Sequence, residues 1–252
     1  MNVKDFNEIK EQFGQTMYAY EQFLKKGYLL EMMYNYHFYD YIVKEYKLNI
    51  ENELLRNVLD MLNAKQSLDM VDAYIDNARK INAQNLISLD KKHRNATEVV
   101  NAMESMSEED DEKLENEFKK FVMESHPAVK GTVTKEESNM YNQAKHFYIV
   151  NNLGAFNECR ELFKNSFKPA DIKEEDFEKI SAYYYSTMQD LKLEANKRNN
   201  AFPYTIEGVF EDDVTISAEN AEFKIKLKNL TEMNTALQKD AVEIFGEEIK
   251  LN

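Results

Sequence analysis

His126 is the residue of this chain whose type and setting most suggest chemistry. It stands with Pro127 and Ala128 in a short break between two predicted helices, from Glu108 to Ser125 and from Lys135 to Asn152. An imidazole can donate and accept hydrogen bonds near neutral pH, and a proline disfavours the helical backbone at the residue before it. From the residues alone, His126 and Pro127 are expected to stop a helix and to leave a solvated imidazole at the turn.

The chain offers no residue pattern typical of an enzyme. A di-iron carboxylate bundle needs Glu-x-x-His pairs, but the residues three positions before the four histidines are Tyr34, Asp90, Met123 and Gln143. Asp90 and His93 form an i, i+3 pair that we expect to be solvated rather than to bind a metal. The sequence contains no glycine-rich phosphate loop and no Gly-x-Ser-x-Gly motif. We therefore expect no catalytic residues, no metal and no cofactor.

Composition favours an all-α protein. The 252 residues are 43% hydrophobic, which is enough for a core, and 6 glycines with 3 prolines are too few turn-formers for an all-β fold. No apolar run is long enough to cross a membrane, and the N-terminus lacks an apolar signal segment. Cys159 is the single cysteine and is expected to be a small packed hydrophobe. These features predict a cytoplasmic location.

The charge of the chain limits its partners. With 46 acidic and 32 basic residues, the formal charge is −14. This argues against direct binding to nucleic acid or to a membrane, both of which require a basic surface, and it favours neutral or basic protein partners. Acidity also keeps a long helical protein soluble.

The two helices that flank the His126 break carry clear capping signals. Ser107 is expected to cap the first helix, with Asp110 three residues later and acids in the first turn that favour the positive end of the helix dipole. Thr134 and Glu137 form a capping box for the second helix. The predicted buried stripes are Leu114, Phe118, Phe121 and Val122 in the first helix, and Met140, Tyr141, Ala144, Phe147 and Tyr148 in the second.

Three other helices carry apolar residues in steps of three and four, which predicts helix-to-helix packing. The first, from Asp5 to about Leu48, has the seam Phe6, Ile9, Phe13, Thr16, Tyr20, Phe23, Gly27, Leu30 and Tyr34. The helix that follows the break at Pro169-Ala-Asp171 has the stripe Phe177, Ile180, Tyr184, Met188, Leu191 and Ala195. The last helix has the seam Phe223, Leu227, Leu230, Asn234, Leu237, Ala241 and Ile244.

The last helix requires a helical partner to cover its seam. That partner is either another helix of this chain, such as the one with the Phe6 seam, or the same helix of a second copy in a homodimer. Asn234 interrupts the seam with a polar side chain of the kind that fixes register. In the first helix, the aromatic run from Met32 to Tyr41 is expected to form an aromatic core between several helices.

The His126 break resembles part of a J domain, the co-chaperone module of DnaJ-type proteins. Phe118-Lys-Lys-Phe-Val-Met-Glu-Ser-His-Pro127 resembles J-domain helix two and its loop, and Tyr141-Asn-Gln-Ala-Lys-His-Phe-Tyr148 resembles the following helix. A looser likeness to bacterial J-domain-containing proteins with long helical flanks spans most of the chain. It implies an elongated, all-α helical bundle or coiled coil with an embedded J-like hairpin. The expected divisions are a long-helix arm at 1–104, the hairpin at 105–166 and C-terminal helices with a heptad seam at 167–252.

The resemblance also implies a partner and a partner face. J domains stimulate ATP hydrolysis by a DnaK-type chaperone through a His-Pro-Asp loop, and the corresponding face here comprises Lys119, Lys120, His126 and Pro127. Ala128 stands in the place of the aspartate, whose carboxylate accepts a hydrogen bond from a basic group of the chaperone. Loss of such a charge-assisted bond costs on the order of 1.5 to 3 kcal/mol. We therefore expect the loop not to stimulate a chaperone.

These observations favour a non-enzymatic helical adaptor that binds a protein, either a DnaK-type chaperone or a basic protein. One alternative is an acidic inhibitor or nucleic-acid mimic, which would block a basic site on its partner with Glu108 to Glu117 and Glu211 to Asp213. A helical enzyme with an unrecognised carboxylate site is a third hypothesis.

Overall fold

The computed structural model describes residues 1–131, 133–163, 172–246 and 249, and within these residues it contains helices but no strand. The prediction of an all-α protein is confirmed. The α-helices are α1 (Val3–His37), α2 (Tyr39–Asn63), α3 (Leu68–Ser105), α4 (Glu108–Ser125), α5 (Pro127–Lys130), α6 (Lys135–Ile149), α7 (Leu153–Phe163), α8 (Phe177–Asn199) and α9 (Asp213–Phe245). Short 3₁₀ segments span Glu174–Asp176 and Tyr204–Phe210. The break predicted at Pro169-Ala-Asp171 lies outside the described residues.

The chain forms two compact units, each assembled from two stretches of sequence. Unit 1 comprises Met1–Glu31 and Glu98–Ile206, and unit 2 comprises Met32–Thr97 and Glu207–Asn252. The predicted segment 105–166 lies within unit 1, whereas the predicted segments 1–104 and 167–252 contribute to both units. The units differ from the predicted divisions because each core recruits helices from distant parts of the sequence. The predicted boundary between 166 and 167 lies outside the described residues.

The core of unit 1 is built from stacked aromatic rings. In the antiparallel pair α4 and α6, Phe118 stacks on Tyr148 with ring centroids 3.6 Å apart. Helices α1 and α8 run in parallel, because Phe13 stacks on Tyr184 at 4.2 Å and the earlier pair Phe6 and Phe177 stacks at 4.1 Å. Cys159 is buried in this core, as predicted, and burial raises the pKa of its thiol.

The predicted helix caps of unit 1 are confirmed. The Ser107 hydroxyl accepts a hydrogen bond from the Asp110 amide at the start of α4. At the start of α6, the Thr134 hydroxyl accepts from the Glu137 amide, and the Glu137 carboxylate accepts from the Thr134 amide. Glu137 also pairs with the buried Lys130 at 2.7 Å. The bonds from Lys130 and Thr134 lower the pKa of Glu137 to about 2. These caps fix where the two helices begin on either side of the His126 turn.

Unit 2 covers most of the seam of the last helix. Helix α9 packs along α2, where the Asn52 side-chain amide donates to the Leu230 carbonyl at 3.1 Å. Phe223 and Ala241 of the seam are buried, and Leu237 packs against the cluster that includes Leu54. Ile244, which was predicted to belong to the seam, is 52% exposed. The seam therefore packs mainly on α2 of the same chain. Its Phe223 also lies against Tyr34 of α1, the last residue of the Phe6 seam, with ring centroids 6.1 Å apart.

The aromatic run from Met32 to Tyr41, which spans the end of α1 and the start of α2, also packs within unit 2. Phe38 is fully buried, and its ring lies 5.6 Å from Phe223 and 6.2 Å from Phe210. Helix α1 ends at His37 and α2 begins at Tyr39, and the buried Phe38 lies between them. The sequence had predicted a single helix from Asp5 to about Leu48. The predicted aromatic core is confirmed. No helix in the described part of the chain is long and apolar enough to cross a membrane.

Candidate functional site

The turn at His126 holds its imidazole inside unit 1. Helix α4 ends at Ser125, and His126 takes the extended backbone conformation expected before a proline. Its Nδ1 accepts a hydrogen bond from the Ala128 amide at 3.0 Å and so caps the short helix α5. The residue is only 8% exposed. The expectation of a solvated imidazole is wrong, because the ring serves as the cap of α5 and is covered by neighbouring helices.

The other ring nitrogen of His126 faces a buried carboxylate. His126 Nε2 lies 3.6 Å from Glu21 Oε1 of α1, and Lys145 Nζ of α6 lies 2.5 Å from Glu21 Oε2. Burial alone would raise the pKa of Glu21, but His126 and Lys145 outweigh burial and lower it. Glu21 is therefore an ionised acid that joins α1 to the turn and to α6. Because Nδ1 is an acceptor, the proton of a neutral His126 is assigned to Nε2, on the side of Glu21.

Tyr141 completes this first polar cluster. Its ring meets the His126 ring edge-on, with centroids 4.8 Å apart. Its hydroxyl is buried and has no hydrogen-bond partner within the described residues. Burial, and then the charge of Glu21, raise the pKa of Tyr141 well above its ordinary value. The hydroxyl therefore stays protonated beside an ionised carboxylate.

A second polar cluster surrounds Glu115 of α4. Its carboxylate accepts hydrogen bonds from Tyr18 at 2.7 Å and Tyr148 at 2.9 Å, and it pairs with Lys25 at 2.9 Å. The Lys25 ammonium also lies 4.3 Å from the centre of the Tyr148 ring. Burial would raise the pKa of Glu115, but the bonds from Lys25, Tyr18 and Gln22 dominate and lower it. Burial and the nearby Glu115 raise the pKa of Tyr148.

The two polar clusters stabilise the packing of helices. Each contains an ionised carboxylate that is paired with a lysine and receives groups from two or three helices. Paired and hydrogen-bonded charges of this kind resist displacement, because removal of one partner leaves the other buried without compensation. The arrangement holds α1, α4 and α6 in a fixed relation and makes the α4–α6 hairpin rigid.

The four residues of the predicted partner face do not form one exposed surface. Lys119 and Lys120 are exposed on α4, Pro127 is half-buried and His126 is buried. Lys119 Nζ lies 5.8 Å from the centre of the Tyr18 ring. Lys120 Nζ lies 3.1 Å from a Glu117 carboxylate oxygen. The lysines are therefore available at the surface, whereas the imidazole is not.

The acidic segments proposed for an inhibitor also have local roles. Asp110 belongs to the cap of α4, where its carboxylate accepts from the Ser107 hydroxyl. Asp212 caps α9, and its carboxylate accepts from the Thr215 amide at 2.8 Å. The hydrogen bonds from Thr215 lower the pKa of Asp212. Part of the acidity is thus explained by helix capping.

Glu21 and Lys25, the charged residues that organise the interior, were not predicted from the sequence. From Phe13, the buried stripe of α1 continues in steps of four through Met17, Glu21 and Lys25. A search for buried stripes that admits a Glu and Lys pair at i, i+4 would have found this pattern. The partners of the pair lie on α4 and α6, and a single sequence does not show such distant contacts.

Comparison with known proteins yields no match for this chain: no protein-family model, no curated protein and no solved structure matches it. Its function is therefore inferred from its own residues.

Proposed function

We propose that this protein is a non-enzymatic helical adaptor that binds another protein, with the α4–α6 hairpin as a rigid, J-domain-like platform whose chaperone-stimulating loop is inactive. The proposal includes a cytoplasmic location and a neutral or basic protein partner. The charge of −14 supports such a partner, and the lone buried Cys159 is consistent with a reducing compartment.

The observation that carries the inactive loop is the position of His126. Its Nδ1 caps α5, its Nε2 faces Glu21 at 3.6 Å, and 8% of the residue is exposed. A partner could reach the imidazole only by breaking contacts that stabilise the turn. Ala128 has no side-chain acceptor for a basic group of a chaperone. The imidazole that would contact a chaperone is thus engaged in contacts within the protein, and the carboxylate expected at position 128 is missing.

The platform role is supported by rigidity and by the exposed lysines. The stacked pair Phe118 and Tyr148 and the buried acid Glu115 tie α4 to α6. Lys119 and Lys120 project from the exposed side of α4. Side chains on a rigid helix lose less conformational freedom on binding than side chains on a mobile loop.

The loop is tested by measuring ATP hydrolysis by a DnaK-type chaperone. We expect the native chain to leave the basal rate unchanged. Stimulation by the native chain that is lost in His126→Gln would contradict an inactive loop. The variant Ala128→Asp supplies the missing acceptor. Stimulation by this variant alone would identify the hairpin as a J domain that has lost its trigger.

The same experiment includes a direct binding measurement of both proteins to the chaperone. If neither the native chain nor Ala128→Asp binds, the chaperone is removed from the proposal. The adaptor would then be tested through its other surfaces, with Lys119→Glu and Lys120→Glu as the variants of the α4 face.

A further inference from the structure

A groove between α1 and α8 is a second surface feature of unit 1. The two helices run in parallel, and their N-terminal halves pack together through the pairs Phe6 with Phe177 and Phe13 with Tyr184. Beyond these pairs the helices enclose a groove of about 660 Å³. Its walls are mostly uncharged and include Ala19, Tyr20, Phe23, Tyr185, Met188 and Leu191. The floor is therefore apolar although it lies at the surface.

The groove is formed by the middle of the predicted α1 seam and the second half of the predicted α8 stripe. Thr16, Tyr20 and Phe23 continue the α1 seam after the buried Phe13, and they are only half-buried. Met188, Leu191 and Ala195 continue the α8 stripe after the buried Tyr184, and they are also half-buried. Seam positions are the residues with which helices pack on one another. Here the two seams diverge and leave room between them.

We propose that this groove binds an amphipathic α-helix of a partner protein, with apolar residues on its buried face and basic residues on its flanks. This inference rests on the proposed adaptor function and identifies the kind of partner. A helix laid into a groove between two helices places its ridge of side chains between theirs.

The dimensions of the groove fit a helix. On α1 the lining extends from Gln12 to Phe23, which corresponds to about 16 Å or about three helical turns. Tyr204 closes the end of the groove near Phe23, because its ring stacks on Phe23 at 4.1 Å and its hydroxyl donates to the Phe23 carbonyl. Gln15 and Gln189 on opposite walls offer side-chain amides to polar residues at the edges of a bound helix.

The charge pattern favours a basic partner over a second copy. Among the described residues, Lys192 is the one charged residue that lines the groove. Glu8 and Asp5 are exposed and lie about one and two turns before Gln12 on α1, outside the lining, and Glu8 is 4.0 Å from Lys4. A second copy of this chain would bring a further charge of −14 to the same place, which opposes association. Basic residues on a partner helix would instead be attracted.

The probe is a fluorescein-labelled synthetic peptide of Leu, Ala and Lys, about three heptads long, with Leu at the a and d positions. A control peptide has the same composition with its leucines moved off the a and d positions. We expect the full-length native chain to bind the first peptide in fluorescence anisotropy and the control peptide at least about tenfold more weakly.

Matched variants locate the binding. Ala19→Glu and Ala195→Glu place a carboxylate on opposite walls of the groove and should weaken peptide binding by about tenfold or more. Ala182→Glu, an exposed position of α8 outside the groove, should leave binding within about twofold. Circular dichroism confirms that each variant keeps its helices. Because Ala19 is itself exposed, the charged side chain is not forced into the core.

Three results would overturn the inference. The first is equal binding of the two peptides, and the second is binding that Ala19→Glu and Ala195→Glu do not change. The third is absence of peptide binding. If light scattering then shows a dimer that Ala19→Glu dissociates, the groove is assigned to a second copy of the chain. None of these variants alters the α4–α6 hairpin. A failure of the groove is therefore distinguishable from a failure of the platform, which the chaperone assay reports.

Discussion

Replacement of Glu21 by alanine should destabilise unit 1 strongly. Glu21 is 4% exposed, and its carboxylate is paired with Lys145 and faces His126. Without it, Lys145 would lose its counter-charge and His126 its acidic neighbour. Removal of one partner from a buried ion pair costs about 3 to 5 kcal/mol. The Lys145 side chain is 23% exposed and can partly rehydrate, so we expect the lower end of this range, about 3 kcal/mol.

The matched control is Glu8→Ala on the same helix. Glu8 lies 4.0 Å from Lys4, and both side chains are largely exposed. An exposed i, i+4 pair is worth about 0.3 to 0.5 kcal/mol, so this variant should change stability little. Both variants replace glutamate by alanine within α1, and the difference between them therefore reports the buried environment of Glu21.

The assay is urea unfolding followed by circular dichroism, combined with hydrogen exchange of the α1 and α6 peptides to locate the change in unit 1. The pH dependence provides a second readout. The folded-state pKa of Glu21 is lowered from 4.5, so its stabilising contribution is present above about pH 4.5 and is lost as the pH falls through the lower folded value. The gap between the native chain and Glu21→Ala should narrow in acid.

A cost below about 1 kcal/mol at neutral pH, with a gap that does not narrow in acid, would refute this reasoning. Such a result would mean that Glu21 is solvated in the folded protein and does not bind the turn to α1.

Two further perturbations test packing in each unit. A Cβ at Gly27 would lie 2.5 Å from the Tyr204 hydroxyl, so Gly27→Ala should displace that ring and destabilise by about 1 kcal/mol after the gain in helix propensity. Gly154→Ala, whose added Cβ would lie 3.8 Å from Asn152 Oδ1 in ordinary van der Waals contact, should be neutral or stabilising by up to about 1 kcal/mol. Thermal unfolding measures both glycine variants. The Leu230→Asp, Leu237→Asp double variant should lose helicity, because both leucines lie on the α9 face that packs on α2.

Each of these expectations has its own contradicting result. An unchanged Tm for Gly27→Ala would show that Tyr204 does not pack on α1. The leucine variant could instead convert a dimeric native chain to a monomer in light scattering while circular dichroism shows unchanged helicity. That result would assign the seam of α9 to a second copy.

Local signals in the sequence predicted much of the fold. The caps at Ser107 and Thr134 depend on residues three positions apart, and the structure confirms both. The seam of α9 was predicted from its apolar spacing, and most of it is covered as expected. Its partner was not predicted, because helix α2 lies far away in sequence and one seam does not specify which helix covers it.

The candidate site was predicted less well, because its chemistry depends on distant contacts. Lys119 and Lys120 are exposed, as a partner face requires, but His126 is buried by residues of α1 and α6 that the local motif does not reveal. The buried stripe of α1 is an example. A search for apolar residues spaced three and four apart does not identify Glu21 and Lys25 as buried. They are buried in unit 1 because each pairs with an opposite charge on another helix.

The central claim is that His126 serves the structure of the turn and is not presented to a partner. Nitrogen NMR of a histidine-labelled chain, recorded at a pH where the imidazole is seen to be neutral, tests it most directly. We expect the neutral His126 to be a single tautomer, with the proton on Nε2 and with Nδ1 accepting the bond from the Ala128 amide, and we expect that amide to lose its protection in His126→Ala. Averaging of the two tautomers, as in a solvated imidazole, with an unprotected Ala128 amide would contradict it.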